Sequence, residues 1–265
     1  MEQLKIGIKN LEFSYPDGNK AVNKLSLDIR KGESIGIIGA NGAGKSTLLM
    51  LILGIIFPES GEILVDGKKV DKSNLEYIRK EIGMIFQNSD NQLFMTKVYD
   101  DVAFGPRNYK LPEAEVDKRV KDALSKVGAL NLIDRYSYKL SGGEKKLAAI
   151  ATVLAMEPGV LVMDEPTGAL DPKARRKLIE LLNKLDYTKI ITSHDLDMIL
   201  DTCERTVIIK NGIIVADGAT RDIMRNKELL ESSGLEMPLS LENCPVCGRL
   251  KNFVNLEERY ENSSN

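Results

Sequence analysis

The segment GANGAGKS, Gly39 to Ser46, has the spacing G-x-x-x-x-G-K-[ST]. Gly39, Gly42 and Gly44 permit tight backbone geometry, so successive N–H groups, those of Asn41 and Ala43 included, can surround phosphate oxygens. A helix amino terminus directly after such a turn favours the anion further. Lys45 would then reach the β- and γ-phosphates of a nucleotide, and the Ser46 hydroxyl would take a Mg²⁺ position. Thr47 is placed for the α-phosphate. A chance Gly-rich turn is the competing reading.

VLVMDEP, Val160 to Pro166, sets two acids at the end of an apolar run. Asp164 is suited to hold Mg²⁺, and Glu165 to polarise an attacking water, a role worth about 10²–10⁴ in rate. His194, the single histidine of the chain, follows the run KIITS and could hold the same water against a γ-phosphate. Taken alone, a lone histidine is more often structural. Gln87 closes EIGMIFQ and could touch Mg²⁺ or water, although a turn glutamine is the simpler reading. Tyr15 ends another run and could stack on adenine, where a core tyrosine is equally reasonable.

These groups need elements that bring them together. SIGIIG (34–39) reads as a strand buried on both faces, with the helical run STLLMLILGII after it. VLVMD (160–164) and TKIIT (188–192) read as further strands, with the helix RKLIELLNKL between them, which gives strand–helix–strand order. Open α/β sheets bind ligands beyond the carboxyl ends of their strands, where each of these motifs falls. LKIGIKNLEFSY and VNKLSLDI flank Pro16–Gly18 as a hairpin, and RTVIIKNGIIVADG turns at Asn211-Gly212. From about 88 to 156 strand signals nearly vanish, and helical stretches such as EAEVDKRVKDALSKVGA and GGEKKLAAIATVLAM dominate. This stretch is expected to be a helical insertion.

The chain has 265 residues, 43% hydrophobic, so it can bury a full core without staples. A net charge of −2 gives no sign of a phosphate-backbone footprint, and no nucleic acid partner is expected. The longest apolar stretch, Leu147 to Met156 with Thr152 allowed, is about half a membrane span. Three cysteines make no disulfide framework, and the cytoplasm is the expected compartment.

KLSGGEKK, Lys139 to Lys146, closely resembles the signature sequence of ABC transporter ATPases. With Tyr15, Gly39–Ser46, Gln87, Asp164, Glu165, the GALD segment ending at Asp171, and His194, the whole ordered set matches that family over about residues 4–230. Glu144 stands where the commonest family version has glutamine. The resemblance implies an α/β P-loop NTPase of ABC ATPase type, with an antiparallel β subdomain and an inserted helical subdomain. The ATPase domain would span 1–235, and 236–265 would form a short extension. It also implies a head-to-tail dimer in which Ser141, Gly142, Gly143 and Glu144 meet the partner's ATP and Asp171 joins the two loops across the interface. The second ATPase chain would be identical or related.

QNSDNQLF (87–94) and TKVYDDVAFGPRN (96–108) resemble the ATPase subunits of energy-coupling factor and cobalt- or nickel-type importers, with Ser89 replacing the usual proline. That implies a peripheral position on the cytoplasmic face of the cell membrane, an integral membrane scaffold subunit, and a separate substrate-binding membrane subunit. Phe94, Val98, Val102 and Phe104 are the expected apolar contacts for the scaffold. Cobalt or another transition metal is the expected cargo, with vitamins as the alternative. A soluble ABC ATPase for cofactor assembly is the competing class. CPVCG supplies Cys244 and Cys247, half of a zinc-ribbon pattern. An inter-subunit zinc, a redox pair and two plain loop cysteines all remain open. Cys203 is expected to be a structural helix residue.

Overall fold

The computed structural model describes residues 3–242; Cys244 and Cys247 lie outside the described residues. The chain opens with β1 (Leu4–Ser14) and β2 (Lys20–Arg30), paired antiparallel around the Pro16–Gly18 turn. β3 (Ser34–Ile38) is buried along its whole length, and α1 (Lys45–Ile52) follows the Gly-rich turn. Next come β4 (Ser60–Val65), β5 (Lys68–Lys69), α2 (Leu75–Glu81) and β6 (Ile82–Ile85). The insertion holds α3 (Val98–Asn108), α4 (Glu113–Lys126) and α5 (Gly142–Leu154), with short 3-10 turns and no strand between β6 and β7. β7 (Val160–Asp164), α6 (Pro172–Lys184), β8 (Thr188–Thr192) and α7 (Leu196–Thr202) restore the alternation. β9 (Arg205–Lys210), β10 (Ile213–Ala219), α8 (Thr220–Arg225) and α9 (Lys227–Ser232) follow, and a 3-10 turn at Leu239–Leu241 completes the described elements.

Two sheets form. One is antiparallel, in the order β2-β1-β4-β5; the other is six-stranded, β10-β9-β3-β8-β7-β6. In the larger sheet β9, β3, β8, β7 and β6 run parallel, and β10 is the antiparallel edge. Burial on both faces explains the near-continuous apolar text of β3, β7 and β8. One core lies between the sheets and includes α1 through Leu48, Leu49, Leu51 and Ile52. The other joins the opposite face of the parallel sheet to α5, α6, α7 and the insertion.

Sequence order conceals one consequence of this topology. Strands β3, β8, β7 and β6 are consecutive neighbours in the sheet, and all point the same way. Gly39–Ser46, His194, Asp164–Glu165 and Gln87, which follow or close those four strands, are therefore gathered along one edge.

Candidate functional site

A cleft of about 400 Å³ is lined by Tyr15, Asn19, Ala21, Asn41–Thr47, Gln87, Asp164, Glu165 and His194. Its floor is the turn between β3 and α1. Gly39 cannot carry a side chain, because a Cβ would stand 2.2 Å from the Ile209 carbonyl of β9. Gly44 has φ +107°, and its Cβ would meet the Ala21 carbonyl of β2 at 2.2 Å. The Gly212 turn between β9 and β10 presses on the same place, with Gly212 N donating to the Ala43 carbonyl at 3.0 Å. Both sheets thus clamp the loop from behind. Lys45 curls back over it, donating to the carbonyls of Gly39 (2.6 Å) and Ala40 (3.1 Å). Burial lowers its pKa, against the opposing pull of the Glu165 and Asp164 carboxylates.

Across the cleft, Asp164 Oδ2 lies 3.5 Å from Ser46 Oγ, while the Thr192 hydroxyl donates to Asp164 Oδ1 at 2.5 Å. Hydroxyl, carboxylate and the nearby Gln87 amide form a hard oxygen donor set of the kind a small divalent cation takes. Glu165 adopts φ +46°, an uncommon conformation for a residue with a side chain, directly after β7. Its Oε2 accepts from the main-chain N–H of His194 (3.0 Å) and the Ser193 hydroxyl (3.3 Å). Its Oε1 is buried with no hydrogen-bond partner, and His194 Nε2 stands 3.5 Å away. A buried carboxylate oxygen left without a hydrogen bond is ready to accept from a proton-bearing ligand such as water. Tyr15 donates to or accepts from Thr47 Oγ1 at 3.1 Å and packs edge-on to Phe13.

The signature residues lie elsewhere. Ser141, Gly143, Glu144 and Asp171 line a separate groove with Leu147, Ala174 and Leu178, and none of them lines the cleft between Gly39–Ser46 and Glu165. Ser141 caps α5 in a reciprocal box: Glu144 N donates to Ser141 Oγ (3.4 Å), and Ser141 N donates to Glu144 Oε2 (2.8 Å). The Ser141 N–H, and after it the Ser141 hydroxyl, hold the Glu144 carboxyl below its usual pKa. Glutamate thus serves this helix start in place of the commoner glutamine. Gly142, also exposed, borders a third groove that reaches Gln87. Asp171 caps α6, its Oδ1 accepting from Lys173 N and Ala174 N, each at 2.9 Å.

On the insertion, the structure divides the expected apolar contacts. Val98 and Val102 are fully buried in the core of the insertion, which removes them from any docking face. Phe94 is 62% exposed and Phe104 43% exposed. Their rings meet edge to face at 4.9 Å, beside a groove lined by Met95, Asp100, Phe104 and Arg107. Asp101, buried under them, accepts from Phe94 N, Met95 N and the Ser137 hydroxyl. Cys203 is buried, one residue past the end of α7 rather than on it.

Several residues of the site were not singled out in the sequence. Thr192 and Ser193 immediately precede His194, and their hydroxyls bond Asp164 and Glu165. Their position at the end of a buried strand beside a histidine is the one signal that points to them. Asp195, directly after His194, shares that signal, and Arg175 carries none.

The ABC transporter family profile matches residues 22–168. A putative ABC transporter ATP-binding protein of Geobacter sulfurreducens is 51% identical over 92% of this chain and 98% of its own length. The energy-coupling factor transporter ATP-binding protein EcfA of Methanothermobacter thermautotrophicus is 43% identical, covering 88% of this chain and 76% of that protein. Among solved structures, cbiO1 from Clostridium perfringens, part of the ABC transporter complex cbiONQ, superposes with a TM-score of 0.80 at 40% identity, covering 87% of this chain and 94% of that one. The dimeric post-hydrolysis state of the ATP-binding cassette MJ0796, bound to ADP and Pi, superposes with a TM-score of 0.72 at 30% identity, covering 82% and 99%.

Proposed function

Because the chain belongs to the ABC transporter family and is an ATPase whose hydrolysis is coupled to transport, we propose that it is one half of a head-to-tail ATPase pair that closes on ATP and powers an energy-coupling factor type importer. The observation that carries the reading is Gly142. It lies exposed in the first turn of α5 with an ordinary helical backbone, and a Cβ built on it would meet nothing within 4 Å. Glycine costs a helix up to about 1 kcal/mol relative to alanine. Nothing within this chain requires it. A bare helix start beside Ser141 suits the close approach of an anion from outside the chain, while the chain's own phosphate cleft holds no signature residue. A second subunit supplies what each site lacks.

In this reading the amides of Gly39–Ser46 and the Lys45 ammonium hold the phosphates, Thr47 meets the α-phosphate, and the Tyr15 ring stacks on adenine. Ser46, Asp164 and Gln87 would hold Mg²⁺, which supplies charge neutralisation on the β- and γ-phosphates. Glu165 polarises the attacking water through its free Oε1, and His194 holds that water against the γ-phosphate. Ser141, Gly142, Gly143 and Glu144 contact the partner's nucleotide, and Asp171 joins the loops of the two subunits. Contacts made only in the closed pair tie ATP binding to closure, and loss of the γ-phosphate releases it.

The exposed Phe94–Phe104 edge receives an apolar segment of a membrane scaffold subunit at the cytoplasmic face, and a separate membrane subunit binds the cargo. The proposed cargo is a transition metal, cobalt first, with a vitamin-type importer as the alternative; the resemblance of 87–94 and 96–108 to the ATPase subunits of energy-coupling factor and cobalt- or nickel-type importers supports it. Residues 1–235 form the ATPase domain and 236–265 an extension. The test is a tagged pull-down from gently solubilised membranes, with every co-purifying protein identified. A scaffold subunit with a small substrate-binding membrane protein is the expected result. Recovery of soluble partners only, with ATPase activity intact, would favour a cofactor-assembly ATPase.

A further inference from the structure

Arg175 lies in the first turn of α6, and Asp195 caps the start of α7, one residue after His194. Their side chains meet as fork and carboxylate: Arg175 Nε donates to Asp195 Oδ2 at 2.5 Å, and Nη2 to Oδ1 at 2.7 Å. The same carboxylate accepts from Met198 N (3.0 Å) and the Thr167 hydroxyl (3.2 Å). From Asp195 the chain of bonds continues toward the cleft. Asp195 N donates to Ser193 Oγ at 3.0 Å, and the Ser193 hydroxyl donates to Glu165 Oε2 at 3.3 Å. On the other side, Arg175 N donates to the carbonyl of Asp171 at 2.9 Å. The guanidinium therefore ties the start of α6 to Asp195 beside the His194 turn, and the Asp195 carboxylate, through the Thr167 hydroxyl, ties in the 165–171 loop.

Fold stability alone gives no account of this arrangement. α6 and α7 already share a core through Leu178, Leu182, Met198 and Ile199. Asp195 would cap α7 without any arginine. The two side chains are 33% and 24% exposed, and the pair contributes to stability, as the lowered Asp195 pKa requires. What a two-bond fork adds is orientation, since it fixes the plane of the carboxylate as well as its position. Burial pushes the Asp195 carboxyl up, yet the Arg175 and Met198 hydrogen bonds outweigh it and hold the group below its usual value.

We propose that Arg175 is a positioning residue for hydrolysis: through Asp195 it sets the Ser193–His194 turn against Glu165, and it holds that turn as one unit with the 165–171 loop. It touches neither nucleotide nor water. The inference rests on the roles given above to Glu165 and His194. Removing the fork leaves the phosphate cleft intact, because Lys45 and the Gly39–Ser46 turn are held by β2, β9 and β10. The loss should therefore fall on the chemical step and spare ATP binding.

The experiment is steady-state ATP hydrolysis by the purified full chain with Mg²⁺, across ATP concentrations, for Arg175→Met, Arg175→Lys, Asp195→Asn, the Met/Asn double variant and Glu165→Gln. Thermal melting of each variant accompanies it. Asp195→Asn keeps the helix cap, so it reports even where Arg175→Met folds poorly. The expected result is a fall in kcat of about tenfold or more for Arg175→Met and for Asp195→Asn, with KM within about twofold. Lysine, a point donor, should recover only part of the rate. The double variant should be no slower than the slower single one, because both break one link. A wild-type kcat in Asp195→Asn, a rise in KM at constant kcat, or losses that multiply in the double variant would overturn the proposal. If Glu165→Gln hydrolyses ATP normally, the water-activating role falls and this inference with it. If Glu165→Gln is inactive while Asp195→Asn matches wild type, the positioning role alone fails.

Discussion

Glu165 and His194 are fixed to one another by main chain and face one another by side chain. The His194 N–H donates to Glu165 Oε2 at 3.0 Å, while the imidazole Nε2 stands 3.5 Å from Oε1, a buried oxygen with no hydrogen bond of its own. The first contact sets the distance, and the second leaves an unpaired acceptor beside the imidazole. Replacing Glu165 by glutamine keeps the shape and removes the basic oxygen. Glu165→Gln should retain ATP binding, lower kcat by about 10²–10⁴, and accumulate an ATP-bound dimer on size-exclusion chromatography. An unchanged hydrolysis rate would contradict the water-activating role.

Two glycines should behave oppositely. Gly142→Ala has open space and a helical backbone, so its melting temperature should hold or rise, with up to about 1 kcal/mol of added stability. Its ATPase activity should nevertheless fall, because the methyl group would meet the partner's nucleotide. Gly44→Ala forces a Cβ to 2.2 Å from the Ala21 carbonyl at φ +107° and should destabilise the fold by several kcal/mol, on the order of the larger single-site effects. Parallel melting and hydrolysis assays separate the two.

The insertion makes a third prediction. Phe94→Asp places a charge on an edge that is already 62% exposed, so the isolated chain should melt and hydrolyse ATP as wild type. Its recovery of the membrane scaffold subunit in a pull-down should drop at least about tenfold, as expected for a central apolar anchor. Undiminished recovery would place the docking surface elsewhere.

Acid titration should reveal the Arg175–Asp195 pair. Asp195 has its folded pKa held below the unfolded value, so the unfolded chain binds more protons between the two values. The contribution of the pair is present above the unfolded carboxylate pKa and is lost as pH falls through the folded one. Denaturant unfolding from pH 7 downward should show wild type losing stability toward Asp195→Asn over that acidic window, and the two curves should stay parallel above it.

Cys203 should be chemically quiet. Burial pushes its thiol up to about 11, despite hydrogen bonds with Thr202 and Ser34. Native protein treated with iodoacetamide at pH 8 should leave Cys203 unmodified by peptide mass mapping, and denatured protein should label fully.

Composition and spacing made the Gly39–Ser46 turn, the acids at the end of β7 and the boundaries of most strands readable, because each depends on neighbours within a few residues. A Gly-rich turn between an apolar run and a helical one carries its own context. The signature was readable by resemblance, and the capping box at Ser141–Glu144 is a local pattern too. Strand order was not readable. That β3, β8, β7 and β6 lie side by side, which alone brings Ser46, His194, Glu165 and Gln87 into one cleft, follows from the pairing of segments far apart in the chain. Val98 and Val102 read as surface contacts because they share a segment with Phe94 and Phe104. Only the packing of α3 against α4 and α5 decides which residues it covers. The Arg175–Asp195 fork joins side chains from separate helices across a β-strand. Local propensity fixes what each segment becomes; which side chains meet is set by how the apolar faces of those segments are buried together.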